Sequence, residues 1–529
     1  MEILTVKNLK FSYPLSSKAT LDGIDFSVKK GEFILLCGAV GGGKSTLLRT
    51  LIPEIRPMGE ISGDIHINDG LRIGYICQNP EEQIVTDKVY HEIAFALENL
   101  GYDNAFIKRR TAEVSSYFGL DPVLFEDCSS LSGGQKQLLN LASAMAQSPD
   151  VLILDEPTSR LDPVSCEKFF SVLTKLKNDL DCTVIIAEHN VSELLAVCDR
   201  ICIMDGGKMI FDGEQNDALP ILAKYKPLQN ALPASLRLYG AFDIDTTPPL
   251  TMKEGRKFLN EYFIPSDEDE EIPEFKYTSK ALEAENIYFR YSKKGKDVLF
   301  DFSLDVYEGE ILFLLGANAS GKSTALSVLS GILRPYCGKI KVFGKKIKEY
   351  GASLYKTLTY LPQEPRCLFT HDTVKKELDE VNFQKDSFPY DFTPILDSHP
   401  YDISGGQAQL LALAKAVSGT RRIVLLDEPT SSLDHYMISQ VTEVIKSLNA
   451  DGITFIIVSH DLDFAAECAD RCTLMFAGSP CAPEHPRKFF SGSSFYSTKI
   501  NTLLRNHYKS AVTFDDAVKL MEENRRAKI

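Results

Sequence analysis

Several features are missing from this sequence, and each absence removes a class of protein. No uncharged apolar run approaches the roughly 20 residues that cross a bilayer, so a membrane-embedded protein is excluded. The opening MEILTVKNLK has no basic stretch followed by an apolar one. That argues against a secretory signal and for a cytoplasmic location. The chain has 12 cysteines yet no CxxC pair, which removes zinc and iron–sulfur spacings. Most of them sit in apolar runs such as ILLCG, YICQ and RICIM and read as buried reduced thiols. The nearest sets, Cys198 with Cys202 and Cys468 with Cys472, fall where a helix gives way to a strand. Positive charge is short: 58 Lys and Arg face 73 Asp and Glu, for a net charge of −15. Such a surface disfavours non-specific binding to nucleic acid or anionic lipid. What remains is ordinary globular protein, 44% hydrophobic and 25% charged over 529 residues, long enough for three or four domains.

The chain contains itself twice. FSYP, ILLCGAVGGGKST, YICQNP, LSGGQ, VLILDEPTSRLD and VIIAEHN are followed, in the same order, by FRYS, LFLLGANASGKST, YLPQEP, ISGGQ, IVLLDEPTSSLD and FIIVSHD. Tyr13 to Tyr291 and Lys44 to Lys322 are both separated by 278 positions, and Gln78 to Gln363 by 285. Ser132 to Ser404 and Asp155 to Asp427 are separated by 272, and His189 to His460 by 271. The second copy therefore gains seven residues before its YxxQ segment and loses thirteen between YxxQ and SGGQ. Apolar strands alternate with helical patterns such as QKQLLNLASAMAQ, which predicts an α/β fold with a mainly parallel sheet. Between the copies, MKEGRKFLNEYF predicts a helix capped by Thr251 and Glu254, and SDEDEE reads as an exposed acidic linker. Near the end, Thr513 and Asp516 are placed to cap another helix.

Gly38 to Ser45 and Gly316 to Ser323 both fit G-x-x-x-x-G-K-[ST] and lie between an apolar strand and a helix. Glycines let backbone N–H groups turn toward phosphate oxygens, and the helix adds its positive end. Lys44 and Lys322 would reach the β- and γ-phosphates, and Ser45 and Ser323 would hold Mg²⁺. The candidate nucleotide contacts are Gly38, Gly41, Gly42, Gly43, Lys44, Ser45 and Thr46, and in the second copy Gly316, Asn318, Ser320, Gly321, Lys322, Ser323 and Thr324. Each acidic pair ends an apolar strand. Asp155 and Asp427 would bind Mg²⁺, and Glu156 and Glu428 would orient or deprotonate an attacking water. Gln78 and Gln363 also follow apolar strands and can touch both metal and water. His189 and His460 end later strands at matching points, as expected of γ-phosphate contacts.

LSGGQ and ISGGQ, each about twenty residues before the acidic strand, complete a pattern that resembles the ATP-binding cassette (ABC) ATPases. The resemblance covers roughly residues 1–225 and 281–482. It implies two P-loop NTPase domains, each with a RecA-like core, an antiparallel β subdomain and a helical signature subdomain. It also implies ATP and Mg²⁺ as cofactors. It makes Tyr13 and Tyr291 the aromatics that stack on adenine, and it places Asp162 and Asp434 in D-loops. In such proteins two cassettes pair head to tail. Ser404, Gly405, Gly406 and Gln407 would then complete the site built on Lys44, while Ser132, Gly133, Gly134 and Gln135 would complete the site built on Lys322. No catalytic position is degenerate, so two hydrolytic sites are expected. The remaining parts are expected as C-terminal extensions at 226–265 and 483–529, with the acidic linker at 266–280.

NPEEQIVTDKVYHEIAFALENLGY, after Gln78, is similar to the segment of energy-coupling factor (ECF) transporter ATPases that receives a coupling helix of a membrane subunit. Val89, Ile93, Ala94, Ala96 and Leu97 form its amphipathic pattern. ALPASLRLYGAF and PLTMKEGRKFL also resemble extensions of those ATPases. The second copy has 40 residues between Gln363 and Ser404, against 53 between Gln78 and Ser132, so its coupling surface should differ. The resemblance implies an ATPase on the cytoplasmic face of the membrane. It would energise uptake of a vitamin or metal ion with a transmembrane coupling protein and a substrate-binding membrane protein, and without nucleic acid. Two other tandem classes stay open. Single-chain ATPases of monosaccharide importers have this length but lack the EIAFALENLG-type segment. Translation or ribosome factors would need a basic arm or a surface for RNA.

Overall fold

Strands that are apolar at every position must be covered on both faces. In the first half, Phe33–Gly38, Val151–Asp155 and Thr183–Ala187 are buried throughout. The computed structural model sets them in a six-stranded sheet. Its order is Ile73–Ile76, Val151–Asp155, Thr183–Ala187, Phe33–Gly38, Arg200–Asp205, Lys208–Glu214. Neighbours run parallel except the last pair. Alternate residues feed opposite layers: Leu35, Leu152 and Ile186 enter the core beneath the helices, while Ile34, Ile153 and Ile185 enter the core beneath a smaller sheet. The structure describes residues 2–526 apart from 15–17, 40, 160, 162, 181, 267–271, 273–276, 318, 386–387, 420, 432 and 434. The candidate residues Asn318, Asp162 and Asp434, and most of the acidic linker, lie outside the described residues.

The second half repeats the order with Leu358–Leu361, Ile423–Asp427, Thr454–Val458, Ile311–Leu315, Arg471–Phe476 and Ser479–Pro480. Each half also carries an antiparallel sheet. One comprises Leu21–Lys29, Glu2–Ser12 and Glu60–Ile67; the other comprises Leu299–Tyr307, Lys280–Phe289, Cys337–Val342 and Lys345–Lys346. The α/β fold with two P-loop domains, each with a parallel core, an antiparallel subdomain and a helical subdomain, is therefore as expected. Cys37, Cys198, Cys202, Cys468 and Cys472 are among the buried thiols, while Cys337, Cys367 and Cys481 are exposed. Among the described residues no helix is long and apolar enough to cross a membrane.

The helical subdomains differ. The first contains Val89–Asn99 and Asn104–Phe118 before the signature helix Gly133–Ala146. Asp103 caps the second of these through Phe106 N at 2.9 Å, and Gly119 ends it at φ 69°. The second subdomain has only Val374–Glu380 before Gly405–Val417 among the described α-helices. Among the described residues no α-helix stands where the first subdomain has Asn104–Phe118. Phe383, Phe388 and Phe392 fill the space, with ring centroids 5.7–5.8 Å apart.

One sequence reading needs correction here. Val89, Ile93, Ala94 and Leu97 are buried in the first unit's own core and Ala96 is half-buried, so this stripe is not a docking face. A 3.6-residue pattern marks an apolar face without saying what covers it. The outward apolar groups nearby are Val85, Phe95, Leu100 and Phe125.

The chain divides into two compact units, Met1–Thr251 and Met252–Ile529. That boundary splits the segment 226–265, read from sequence as one extension. Helix Met252–Tyr262 joins the second unit because its partners lie there. Arg256 Nη2 donates to Thr502 O at 3.2 Å, Ile264 N to Asn524 O at 2.9 Å, and Tyr508 Oη to Ile264 O at 2.9 Å. The expected cap of the last helix is present, with Asp516 N donating to Thr513 Oγ1 and Thr513 N to Asp516 Oδ2.

Candidate functional site

Both phosphate loops leave the end of a central strand through a glycine at positive φ, Gly38 at 138° and Gly316 at 146°. A Cβ on Gly38 would stand 1.9 Å from Met204 O, and one on Gly316 would stand 2.6 Å from Met475 O. Only glycine fits where the loop passes the neighbouring strand end. Helices Lys44–Thr50 and Lys322–Leu329 begin directly after Gly43 and Gly321. Lys44 and Lys322 are buried. Lys44 Nζ donates to Gly38 O and Ala39 O at 3.1 and 3.0 Å, and Lys322 Nζ to Gly316 O and Ala317 O at 2.8 and 3.0 Å. Burial holds the Lys322 ammonium below its ordinary value.

The acidic strand ends meet these loops. Ser45 Oγ donates to Asp155 Oδ1 at 2.7 Å, and Ser323 Oγ to Asp427 Oδ1 at 3.0 Å. Burial raises both aspartates. A hydroxyl beside a carboxylate offers the hard oxygen donors that suit Mg²⁺, which keeps waters and takes further ligands from phosphate. The donor set therefore fits an Mg²⁺–nucleotide.

Glu156 and Glu428 have φ values of 46° and 50°, a strained backbone for a non-glycine residue. Each meets its histidine. His189 Nε2 lies 2.8 Å from Glu156 Oε1, whereas in the second unit it is His460 Nδ1 that lies 2.8 Å from Glu428 Oε2. Burial alone would raise Glu156, but His189 outweighs it and holds the carboxyl low. The hydrogen bond that Glu428 accepts raises His460 against burial. The first shift favours ionised Glu156 and the second favours protonated His460. Gln78 Nε2 donates to Glu156 Oε2 at 3.0 Å, while Gln363 Nε2 reaches Ser431 Oγ at 3.4 Å.

Tyr13 and Tyr291 stand at the rim, each edge-on to a phenylalanine, Phe11 or Phe289. Their hydroxyls meet Thr46 Oγ1 and Thr324 Oγ1 at 3.1 and 3.0 Å. The signature segments form capping boxes. Gln135 N donates to Ser132 Oγ and Ser132 N to Gln135 Oε1, and Ser404 with Gln407 repeats this. The glutamines thus secure the helix start, and the glycines between carry no side chain across it. Gly134 and Gly406 have little room: an added Cβ would lie 2.6 Å from Ser165 Oγ and 2.5 Å from Met437 Cγ.

Several site residues escaped the sequence. Tyr75 and Tyr360 donate to the second oxygens of Asp155 and Asp427, both at 3.1 Å. The signal was present, since a tyrosine stands three positions before the glutamine in both YxxQ segments. Glu188 is buried beside the first site. It accepts from Thr158 N and Thr158 Oγ1 at 3.0 and 2.7 Å and from His189 N at 3.2 Å. Its counterpart is Ser459.

Comparison with known proteins identifies the family. The ABC transporter family matches residues 21–159 and 299–431. A Bacillus anthracis protein named "Putative ABC transporter ATP-binding protein" is 34% identical over 541 residues, covering 97% of each chain. A Methanosarcina mazei protein of the same description is 30% identical, covering 90% of this chain and 88% of its own. Among solved structures, CbiO1 of Clostridium perfringens, part of the ABC transporter complex CbiONQ, is 29% identical over 43% of this chain and 93% of its own, with a TM-score of 0.37. The chain belongs to the ABC transporter ATPase family. It is an ATPase with two cassettes in one polypeptide, and members of this family bind ATP, typically with Mg²⁺.

Proposed function

We propose that this chain is the energising subunit of an ECF-type importer, hydrolysing ATP on the cytoplasmic face of the membrane to drive uptake of a vitamin or metal ion. The surface beside the YxxQ segment of the first cassette carries this reading. A cleft of about 460 Å³ is lined by Glu81, Ile84, Thr86, Asp87, Asp127, Cys128, Ser129 and Lys136. Val85 and Phe125 are 64% and 73% exposed, and both lie in chain segments that line this cleft. An acidic cleft with apolar neighbours suits a helix of a membrane subunit, and among the described residues the second cassette has no counterpart of helix Asn104–Phe118. An asymmetric pair of membrane subunits fits such unequal cassettes.

In this reading Lys44 and Lys322 leave their loop carbonyls for the β- and γ-phosphate oxygens. Loop N–H groups and the helix starts bind the remaining phosphate charge. Mg²⁺, when bound, neutralises charge on those oxygens. Ser45, Gln78 and Asp155 would hold it at one site, and Ser323, Gln363 and Asp427 at the other. Glu156 and Glu428 orient the attacking water and draw off its proton. His189 and His460 contact the γ-phosphate, and Tyr13 and Tyr291 stack on adenine.

The test is purification of the chain from its native membranes in mild detergent. Two small integral-membrane proteins should accompany it, and Phe125→Asp should release them while leaving hydrolysis in solution intact. A channel-forming sugar-permease dimer as companion would favour the monosaccharide-importer class instead, and ribosomes would refute both.

A further inference from the structure

Each candidate metal-binding aspartate has both oxygens assigned. One faces the phosphate-loop serine and the other takes a tyrosine hydroxyl: Tyr75 on Asp155 and Tyr360 on Asp427, both at 3.1 Å. A carboxylate held at both ends cannot rotate. Its Oδ1 stays turned toward the serine, where the metal would sit. The clamping donor is neutral, so it adds no competing charge. A tyrosine hydroxyl ordinarily keeps its proton at neutral pH.

Beyond this shared clamp the units diverge. In the first, Arg49 Nε donates to Tyr75 Oη at 3.3 Å and lies 3.6 Å from Asp155 Oδ2. At the matching place in the second stands Ser327, whose hydroxyl is beside Tyr360 and donates to Ser323 O at 2.9 Å. In the first unit, then, the tyrosine hydroxyl stands between a guanidinium and the aspartate. Arg49 already pairs loosely with Asp155 Oδ2, and without the hydroxyl it could close to a direct hydrogen bond and tie up, with positive charge, the carboxylate that the metal needs. Ser327 has no charge to bring.

We infer that Tyr75 and Tyr360 are positioning residues that aim the two aspartates at Mg²⁺, and that Tyr75 additionally keeps Arg49 from closing on Asp155 beyond their present 3.6 Å ion pair. This rests on the ATP-site assignment above. Partners behind a metal ligand typically change metal affinity by about 10- to 100-fold when removed. Loss of Tyr75 should fall within that range. Loss of Tyr360 should fall at or below its lower end, because no cation replaces the hydroxyl.

The experiment is Mn²⁺ binding read by electron paramagnetic resonance on the full chain with a non-hydrolysable ATP analogue. Lys322→Ala isolates the first site and Lys44→Ala the second. Tyr75→Phe should weaken Mn²⁺ by about tenfold or more and Tyr360→Phe by less. Arg49→Ser added to Tyr75→Phe should restore affinity to the level of Tyr360→Phe. Analogue binding in EDTA and thermal melting should be unchanged. Unaltered Mn²⁺ affinity in both tyrosine variants, or no recovery from Arg49→Ser, would overturn the inference while leaving the ATP sites standing. A parent chain that binds no Mn²⁺ with the analogue would overturn the site assignment and the inference together.

Discussion

Around the phosphate loops the two cassettes repeat one another. Lys44 and Lys322 rest on equivalent carbonyls, Ser45 and Ser323 touch equivalent aspartate oxygens, and Glu156 and Glu428 share a left-handed backbone. Farther out they separate. His189 meets its glutamate through Nε2 and His460 through Nδ1. Gln78 bonds the first glutamate, whereas Gln363 turns to Ser431. Glu188 corresponds to Ser459 in the repeat, and Arg49 corresponds to Ser327. The duplicated chemistry is uniform at the phosphate-loop lysines and serines and the acidic strand ends, and individual at the glutamines, the histidines and the groups behind them. Two sites with the same reactive residues can therefore differ in how readily they bind metal and in how their stability responds to pH.

The sharpest contrast outside the sites concerns the segment that follows each YxxQ motif. Glu92 and Glu377 are both buried and each accepts from two consecutive backbone N–H groups, Val85 and Thr86 in one case and Thr370 and His371 in the other. In the second cassette Lys415 of the signature helix also pairs with Glu377 and reaches Glu380 at 3.1 Å. In the first, Ser143 holds that place and its hydroxyl donates to Glu92 O at 3.2 Å. Removing one partner of a buried ion pair costs about 3–5 kcal/mol. Lys415→Ala should loosen Val374–Glu380 by that order. Ser143→Ala should loosen Val89–Asn99 by about 1 kcal/mol or less. Hydrogen exchange on peptides from each cassette measures both, and equal losses would erase the contrast.

A smaller difference is expected from Glu188. Burial pushes its carboxyl from 4.5 up to about 7, against the hydrogen bonds from Thr158. The unfolded chain gives up this proton first. The stabilisation is therefore complete below about pH 4.5, declines as pH rises through 7, and is absent above. Glu188→Gln keeps a neutral group there, so it should remove a pH-dependent loss on the order of 2–3 kcal/mol from the first cassette. The measurement is exchange protection around Thr158 and His189 at pH 5 and pH 8. Parallel pH responses of variant and parent would show that Glu188 stays ionised in the fold.

The sequence exposed the parts whose chemistry is local. A glycine-rich turn, a lysine and a serine stand within eight residues, and the repeat set Asp155, Glu156 and His189 beside their later counterparts. The parallel sheet was equally plain, because its strands are apolar throughout. Contacts between distant segments were not legible. Tyr75 and Asp155 are 80 positions apart and meet only because their strands are neighbours in the sheet. The helix Met252–Tyr262 shows a strong apolar face in sequence, yet its partners near Thr502 and Asn524 lie some 250 residues on, so its membership in the second unit was invisible. The same blindness misplaced the stripe from Val89 to Leu97, whose period is as good for a core as for a docking surface.

The central claim is that one chain carries two complete ATPase sites. The direct measurement is made on Glu156→Gln, Glu428→Gln and their combination, counting ATP retained per chain with Mg²⁺ and measuring turnover. We expect each single variant to keep residual hydrolysis. The double variant should retain two ATP per chain and hydrolyse about 10²- to 10⁴-fold more slowly than the parent. One retained ATP per chain, or turnover at the parent rate in the double variant, would contradict the claim.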